Sequence, residues 1–216
     1  MSELEKTVNL RQKAYEIIKH KIIYCELMPG TPISEKTLMN DIQASRTPIR
    51  EALSILEKEG LVKIYDKRGV FVTDVSVKDA IDLYTVSESI EPLAARLATP
   101  NIDLDKVNEY HKLYTDPNYE TSAEEHINVD RSFHTLIAHY TNNSYLETML
   151  SWIFDHNRRI RTISLLKQKE RQAEARQEHI EVILRFMERD AVGAEEAMRR
   201  HIKKSKEVIV QALMGL

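Results

Sequence analysis

A mainly α-helical chain in two parts is predicted by three observations. The run Ser45-Arg-Thr-Pro-Ile-Arg-Glu-Ala-Leu53 combines a helix start with apolar and cationic positions at helical spacing. Two short apolar runs then flank a turn containing Gly69. From Ser76 onward Gly occurs only at 193 and 215 and Pro only at 92, 100 and 117, which leaves strands little room. The expected architecture is an N-terminal winged helix-turn-helix over residues 1–74 and a C-terminal all-α antiparallel helical bundle over residues 75–216. The hinge is expected at Thr73-Asp74-Val75-Ser76.

Val8 to Leu27 carries Ala14, Ile17, Ile18 and Ile22 on one stripe, an amphipathic helix that Met28-Pro29-Gly30 is expected to end. Ser34 can cap a short helix through Ile42, with Leu38 and Ile42 as its apolar pair, before the brief link Gln43-Ala44. In the next helix either Ser45 or Thr47 can serve as N-cap, and Pro48 is tolerated because a first-turn N–H has no intrahelical partner to lose. Ile49, Leu53 and Leu56 share one face, whereas Arg46 and Arg50 share another with Thr47 and Ser54 nearby. Glu59-Gly60 stops the helix, and Leu61–Tyr65 and Val70–Thr73 form a hairpin with a basic tip. Such an assembly places a recognition helix in the DNA major groove and the wing on backbone or minor groove.

Beyond the hinge, helices are expected over Val77–Ala98, Leu104–Tyr114, Thr121–Tyr140, Ser144–Leu166, Arg171–Arg189 and Ala194–Leu213. Pro92 is expected to bend or interrupt the first of them, since it removes a backbone donor and crowds the turn before it.

Composition limits the function classes. The 216 residues carry 31 Lys and Arg against 34 Asp and Glu. Residues 1–74 hold 12 cations against 11 anions, net +1, and the remainder 19 against 23, net −4. A general polyanion coat is therefore disfavoured over a reader with a few placed basic groups. The single cysteine, Cys25, permits no intramolecular disulfide and fits a reducing cytosol. No apolar signal core and no long apolar stretch is found, so a cytoplasmic chain without membrane attachment is expected.

Asp130 and His134 stand four residues apart on one helix face, half of a metal site. His179 and His201, on the last two long helices, could complete a three-histidine, one-carboxylate set. Such donors suit zinc or another divalent transition metal such as nickel. Eight histidines spread over helices also produce such pairs by chance. His126, one turn before Asp130, is expected at the surface or behind the ligands, and His20, His111, His139 and His156 as ordinary structural or solvated residues. Asn157 and Arg161 could donate to a carboxylate effector, although a charged helix face explains Arg158, Arg159 and Arg161 equally well.

Pro29-Gly30, Ile33-Ser34-Glu35, Ser45 to Leu53, Glu59-Gly60-Leu61-Val62 and Gly69-Val70-Phe71-Val72, in this order, resemble the GntR family of bacterial transcriptional regulators. Residues 81 to 209 resemble the FadR-type, FCD C-terminal domain of that family: Glu91 with Ala94 to Ala98, Asp130-x-x-Phe133-His134, Asn143-x-x-Leu146, Glu178-His179, Arg189-Asp190 and Met198-Arg199-x-His201. The resemblance implies DNA contacts from Arg46, Thr47, Arg50, Lys67, Arg68 and Gly69. It also implies a metal, zinc with nickel or manganese as alternatives, on Asp130, His134, His179 and His201, beside a cavity for a small organic acid. The expected function is a ligand-responsive repressor that binds a palindromic double-stranded operator as a homodimer. One departure stands out: Ser87 occupies a position where many relatives carry arginine, which points to a different or smaller ligand. A metalloenzyme with a DNA-binding appendage is the competing class. It lacks a His-Glu-x-x-His motif and a convincing general base, so no catalytic residue is expected. A purely structural metal is the third reading.

Overall fold

A computed structural model describes residues 3–119, 122–164 and 169–215. The chain divides into two compact units, residues 1–75 and 76–216.

The first unit runs α1 (Glu3–Ile23), β1 (Pro32–Ile33), α2 (Glu35–Ile42), α3 (Arg46–Lys58), β2 (Val62–Tyr65) and β3 (Gly69–Val72). Helix α1 stops four residues before the expected end, because Cys25 adopts φ 57° and the Leu27 N–H turns back to the Lys21 carbonyl. Gly30, at φ 74°, does not end the helix but steers the chain into β1, a strand the sequence reading did not include. The three strands are antiparallel in the order β1-β3-β2, with Ile33 opposite Val70 and Ile64 opposite Val70 on the other side. Ser34 caps α2 by accepting the Thr37 N–H, and Gln43, at φ 57°, closes it. Ser45 occupies the N-cap position of α3 with extended backbone but without a side-chain bond. The core gathers Ala14, Ile18 and Ile22 from α1, Leu38 and Ile42 from α2, Ile49, Leu53 and Leu56 from α3, and Leu61, Val70 and Val72 from the wing.

The second unit contains α4 (Val77–Ala98), α5 (Leu104–Thr115), α6 (Ala123–His139), α7 (Ser144–Ser164), α8 (Lys169–Met187) and α9 (Ala191–Met214). The expected helix start at Thr121 and the extension through Leu165-Leu166 lie outside the described residues. Capping boxes start α4 (Ser76 with Asp79) and α6 (Ser122 with Glu125). Helix α4 packs along α9 and also meets α6 and α7, while α8 packs between α5 and α9. Contrary to expectation, Pro92 does not interrupt α4. The carbonyl it leaves without an intrahelical donor belongs to Glu88, and the Arg199 guanidinium of α9 donates to that oxygen at 3.3 Å.

Leu53 is completely enclosed and is the central anchor of α3. Leu53→Ala should destabilise the first unit by about 2–5 kcal/mol, read as faster hydrogen exchange of the α3 amides with α9 amides unchanged.

Candidate nucleic-acid interface and metal centre

The first turn of α3 presents Arg46 and Thr47 to solvent, and Arg50 follows one turn later. The packing face of the same helix is consumed by Ile49, Leu53 and Leu56, so the cationic face has nowhere to go but outward. The structure brings Arg46 and Arg50 together on one carboxylate, Glu35 at the start of α2. Its two oxygens lie 3.6 Å from Arg46 Nε and 3.7 Å from Arg50 Nε. In the wing, Lys67 takes φ 61° and Gly69 φ 90°, a turn that leaves Lys67, Arg68 and Gly69 exposed.

The four ligand candidates of the second unit, Asp130 and His134 from α6, His179 from α8 and His201 from α9, converge in its interior. All four are buried, and one donor atom from each lies within 4.8 Å of the others. Two of the imidazoles are oriented by carboxylates. His134 Nδ1 meets Glu91 Oε2 at 2.7 Å, and His201 Nδ1 meets Glu178 Oε2 at 2.7 Å. A carboxylate only accepts, so each Nδ1 carries a proton, and in the neutral ring the lone pair is left on Nε2. Glu178 is itself fixed by the Arg171 guanidinium, which donates to both oxygens at 2.7 and 2.8 Å and to Ser205 Oγ at 2.9 Å.

His179 Nε2 lies 3.3 Å from His134 Nε2 and 3.5 Å from Asp130 Oδ1. Its ring is wedged against Tyr114 and Phe133. Among the described residues, neither Asp130 Oδ1 nor His179 Nδ1 has a hydrogen-bond partner. Asp130 Oδ1 and the Nε2 atoms of His134 and His179 face one another in the interior; a buried carboxylate oxygen without a donor is costly, and a cation held between it and the two ring nitrogens removes that cost. The spacing fits: two nitrogens bound tetrahedrally at zinc–nitrogen lengths of about 2.0–2.1 Å stand about 3.3 Å apart.

Electrostatics divide the cluster. Burial pushes the Asp130 carboxyl up, but the Arg161 guanidinium and the three imidazoles outweigh it and hold the group well below the usual carboxylate range. Burial, reinforced by His201, holds His179 well below the ordinary histidine value. Burial also lowers His201 against the pull of Glu178, whereas in His134 the Glu91 carboxylate overcomes burial and raises it. Metal ligation requires unprotonated imidazole nitrogens, so His179 and His201 are poised for it.

Arg161, expected at an effector, is paired with Asp130. Asn157, expected beside it, accepts the Tyr84 hydroxyl at 2.7 Å. Both line a cavity of about 20 Å³ with Asp130, His134, His201 and Arg158, which is room for about one water molecule. His126, expected at the surface or behind the ligands, is buried, and burial drives it down to about 4. The orienting roles of Glu91, Glu178 and Arg171 were not read from the sequence as function. Glu91 and Glu178 stood only as family markers, and a carboxylate within an alanine-rich helix face was the available signal for Glu91. Ser87 is fully buried, and its hydroxyl has no partner among the described residues.

Comparison with known proteins agrees with both units. The family described as "Bacterial regulatory proteins, gntR family" matches residues 10–72, and the FCD domain matches residues 82–204. The HTH-type transcriptional repressor RspR of Escherichia coli (strain K12) is 26% identical over 97% of this chain and 93% of its own length. The HTH-type transcriptional regulator YdhC of Bacillus subtilis (strain 168) is 29% identical over 71% of this chain and 70% of its own. Among solved structures, E. coli McbR/YncC superposes with a TM-score of 0.78 at 19% identity, covering 94% of this chain and 97% of that one. A GntR regulator from Rhodococcus sp. RHA1 gives 0.72 at 22%, covering 95% and 97%, and these two likenesses speak for the fold alone. A recognition helix and wing followed by the matched helical domain make this chain a member of the GntR family of DNA-binding transcriptional regulators, of the kind that carries an FCD domain.

Proposed function

We propose that the protein is a ligand-responsive repressor that binds a palindromic operator as a homodimer and senses a small carboxylate through a metal held in its helical unit. The observation that carries this reading is the buried convergence of Asp130, His134, His179 and His201 in a chain that also has a DNA-reading helix. Arg46, Thr47 and Arg50 would read or clamp the major groove, and Lys67, Arg68 and Gly69 would lie on the flanking backbone. Relatives named as repressors, RspR and GlaR of E. coli (strain K12), support the sign of the regulation.

The metal, zinc before nickel or manganese, would supply positive charge and open coordination positions for a ligand oxygen. Around it, Glu91 and Glu178 would hold two imidazole tautomers, and Arg161 and Asn157 would offer donors to a carboxylate. An effector shifts the protein only through a different affinity for the DNA-competent and DNA-incompetent arrangements, so metal, effector and operator affinities must be linked.

Elemental analysis of gently purified protein should find about one divalent transition metal per chain. His179→Ala and His201→Ala should lose it while retaining helical content, and Glu91→Gln should bind it about 10- to 100-fold more weakly. Bundle collapse in all three variants would make the metal structural, and an absent metal would remove the sensing site. Arg50→Ala should weaken specific DNA binding by roughly 1–3 kcal/mol if the guanidinium reads a guanine edge; unchanged operator selectivity would rule out that contact. Neutralising Lys67 and Arg68 together should flatten the dependence of log affinity on log salt by about 2, and an unaltered slope would place the wing off the DNA.

A further inference from the structure

We infer that Glu35 sets the specificity of the DNA surface: its carboxylate gathers Arg46 and Arg50 toward base edges and repels phosphate, lowering affinity for arbitrary DNA more than for the cognate site. The inference rests on the assignment of Arg46 and Arg50 to DNA made above.

Glu35 opens α2 directly after its cap. Ser34 Oγ accepts the N–H of Thr37 at 3.2 Å and its hydroxyl at 2.9 Å, which fixes the first turn. The Glu35 side chain is 24% exposed, against 70% for Arg46 and 65% for Arg50, so the carboxylate is the enclosed member around which the two guanidinium groups collect. Each arginine faces a different carboxylate oxygen through Nε. That arrangement leaves the terminal Nη groups of both side chains for a bidentate contact with guanine O6 and N7.

Folding does not account for this fork. Ion pairs so exposed contribute little to stability. A negative charge in the first turn of α2 is favourable in itself, but that benefit does not require two arginines from another helix to share it.

DNA binding does account for it. Phosphate attraction is independent of sequence and scales with the number of cations brought to the backbone. A carboxylate between two cations subtracts from that attraction on every duplex. It returns free energy only where guanine edges receive the gathered arginines, or where a cytosine N4 amino group donates to the carboxylate. The result is discrimination by repulsion of the wrong partner. It agrees with the net charge of only +1 over residues 1–74, too small for indiscriminate binding.

The test uses the full chain and two duplexes of equal length and composition: one recovered from a random pool by repeated selection with the parent protein, the other scrambled. Glu35→Gln should bind the scrambled duplex more tightly, with a salt slope steeper by about 0.9, and its cognate-to-scrambled ratio should fall about tenfold. Glu35→Asp keeps the charge but shortens the reach, so scrambled binding should match the parent while cognate affinity falls. An unchanged ratio in Glu35→Gln overturns the inference. Equal losses on both duplexes with a lower melting temperature also overturn it and make Glu35 a helix-stabilising residue. Arg50→Ala separates the two levels: if it keeps the parental ratio, the assignment of the arginines to DNA fails first, and if it loses the ratio while Glu35→Gln keeps it, only the role of Glu35 fails.

Discussion

Burying one carboxylate and three imidazoles at a single point is the constraint on which the helical unit is built. A charge removed from water needs a partner, or it costs more than a comparable apolar packing would. Here the partners come from different helices. Glu91 of α4 holds His134 of α6, Glu178 of α8 holds His201 of α9, and Arg161 of α7 holds Asp130 of α6. Five helices must therefore meet in a particular rotational setting for the polar centre to close. The apolar shell reinforces that setting, with Tyr114 of α5 and Phe133 of α6 against the His179 ring.

The N-terminal unit distributes its chemistry in the opposite way. Its centre is a continuous aliphatic core from α1, α2, α3 and the wing, and Arg46, Thr47, Arg50, Lys67 and Arg68 are left outside. Lys19 and Tyr15 of α1 grip Glu59 just past the end of α3, at 2.9 and 2.6 Å. Ile64 N–H of β2 donates to Glu57 of the same helix at 2.7 Å. The recognition helix is thus held at its far end, away from the turn that carries Arg46 and Thr47. A helix anchored at its far end leaves the long exposed side chains of its first turns free of packing duties.

Legibility of the chain followed the range of the interactions involved. Local signals were read well: Ser34 and Ile42 bound α2, and the Val77–Ala98 span was anticipated residue for residue from the helical pattern after Ser76 and the scarcity of Gly and Pro. Interactions across the chain were harder. The two-residue strand Pro32–Ile33 exists only because β3 offers it an edge, so it has no pattern of its own. Pro92 carries a local penalty, but its relief comes from Arg199, 107 positions later, so the interruption that the sequence alone allows is not found and the helix continues. The four clustered residues follow from spacing and family resemblance, whereas Glu91 and Glu178 carry the resemblance without their role of orienting two of the imidazoles being legible. A glutamate that supports a histidine 43 residues away follows no periodicity.

Helix α4 has a mechanical property that follows from where it begins and what it carries. Its capping box lies at Ser76 and Asp79, immediately after the boundary at Val75, and Glu91 sits about 22 Å further along. With the Glu88 carbonyl satisfied from α9, it runs through Pro92 as one continuous helix rather than a chain of segments. A continuous helix has a lever ratio: a tilt too small to break the Glu91–His134 contact becomes a displacement at Ser76 that grows in proportion to the distance between them. The residue that steadies an imidazole and the residue that starts the second unit thus belong to one helix.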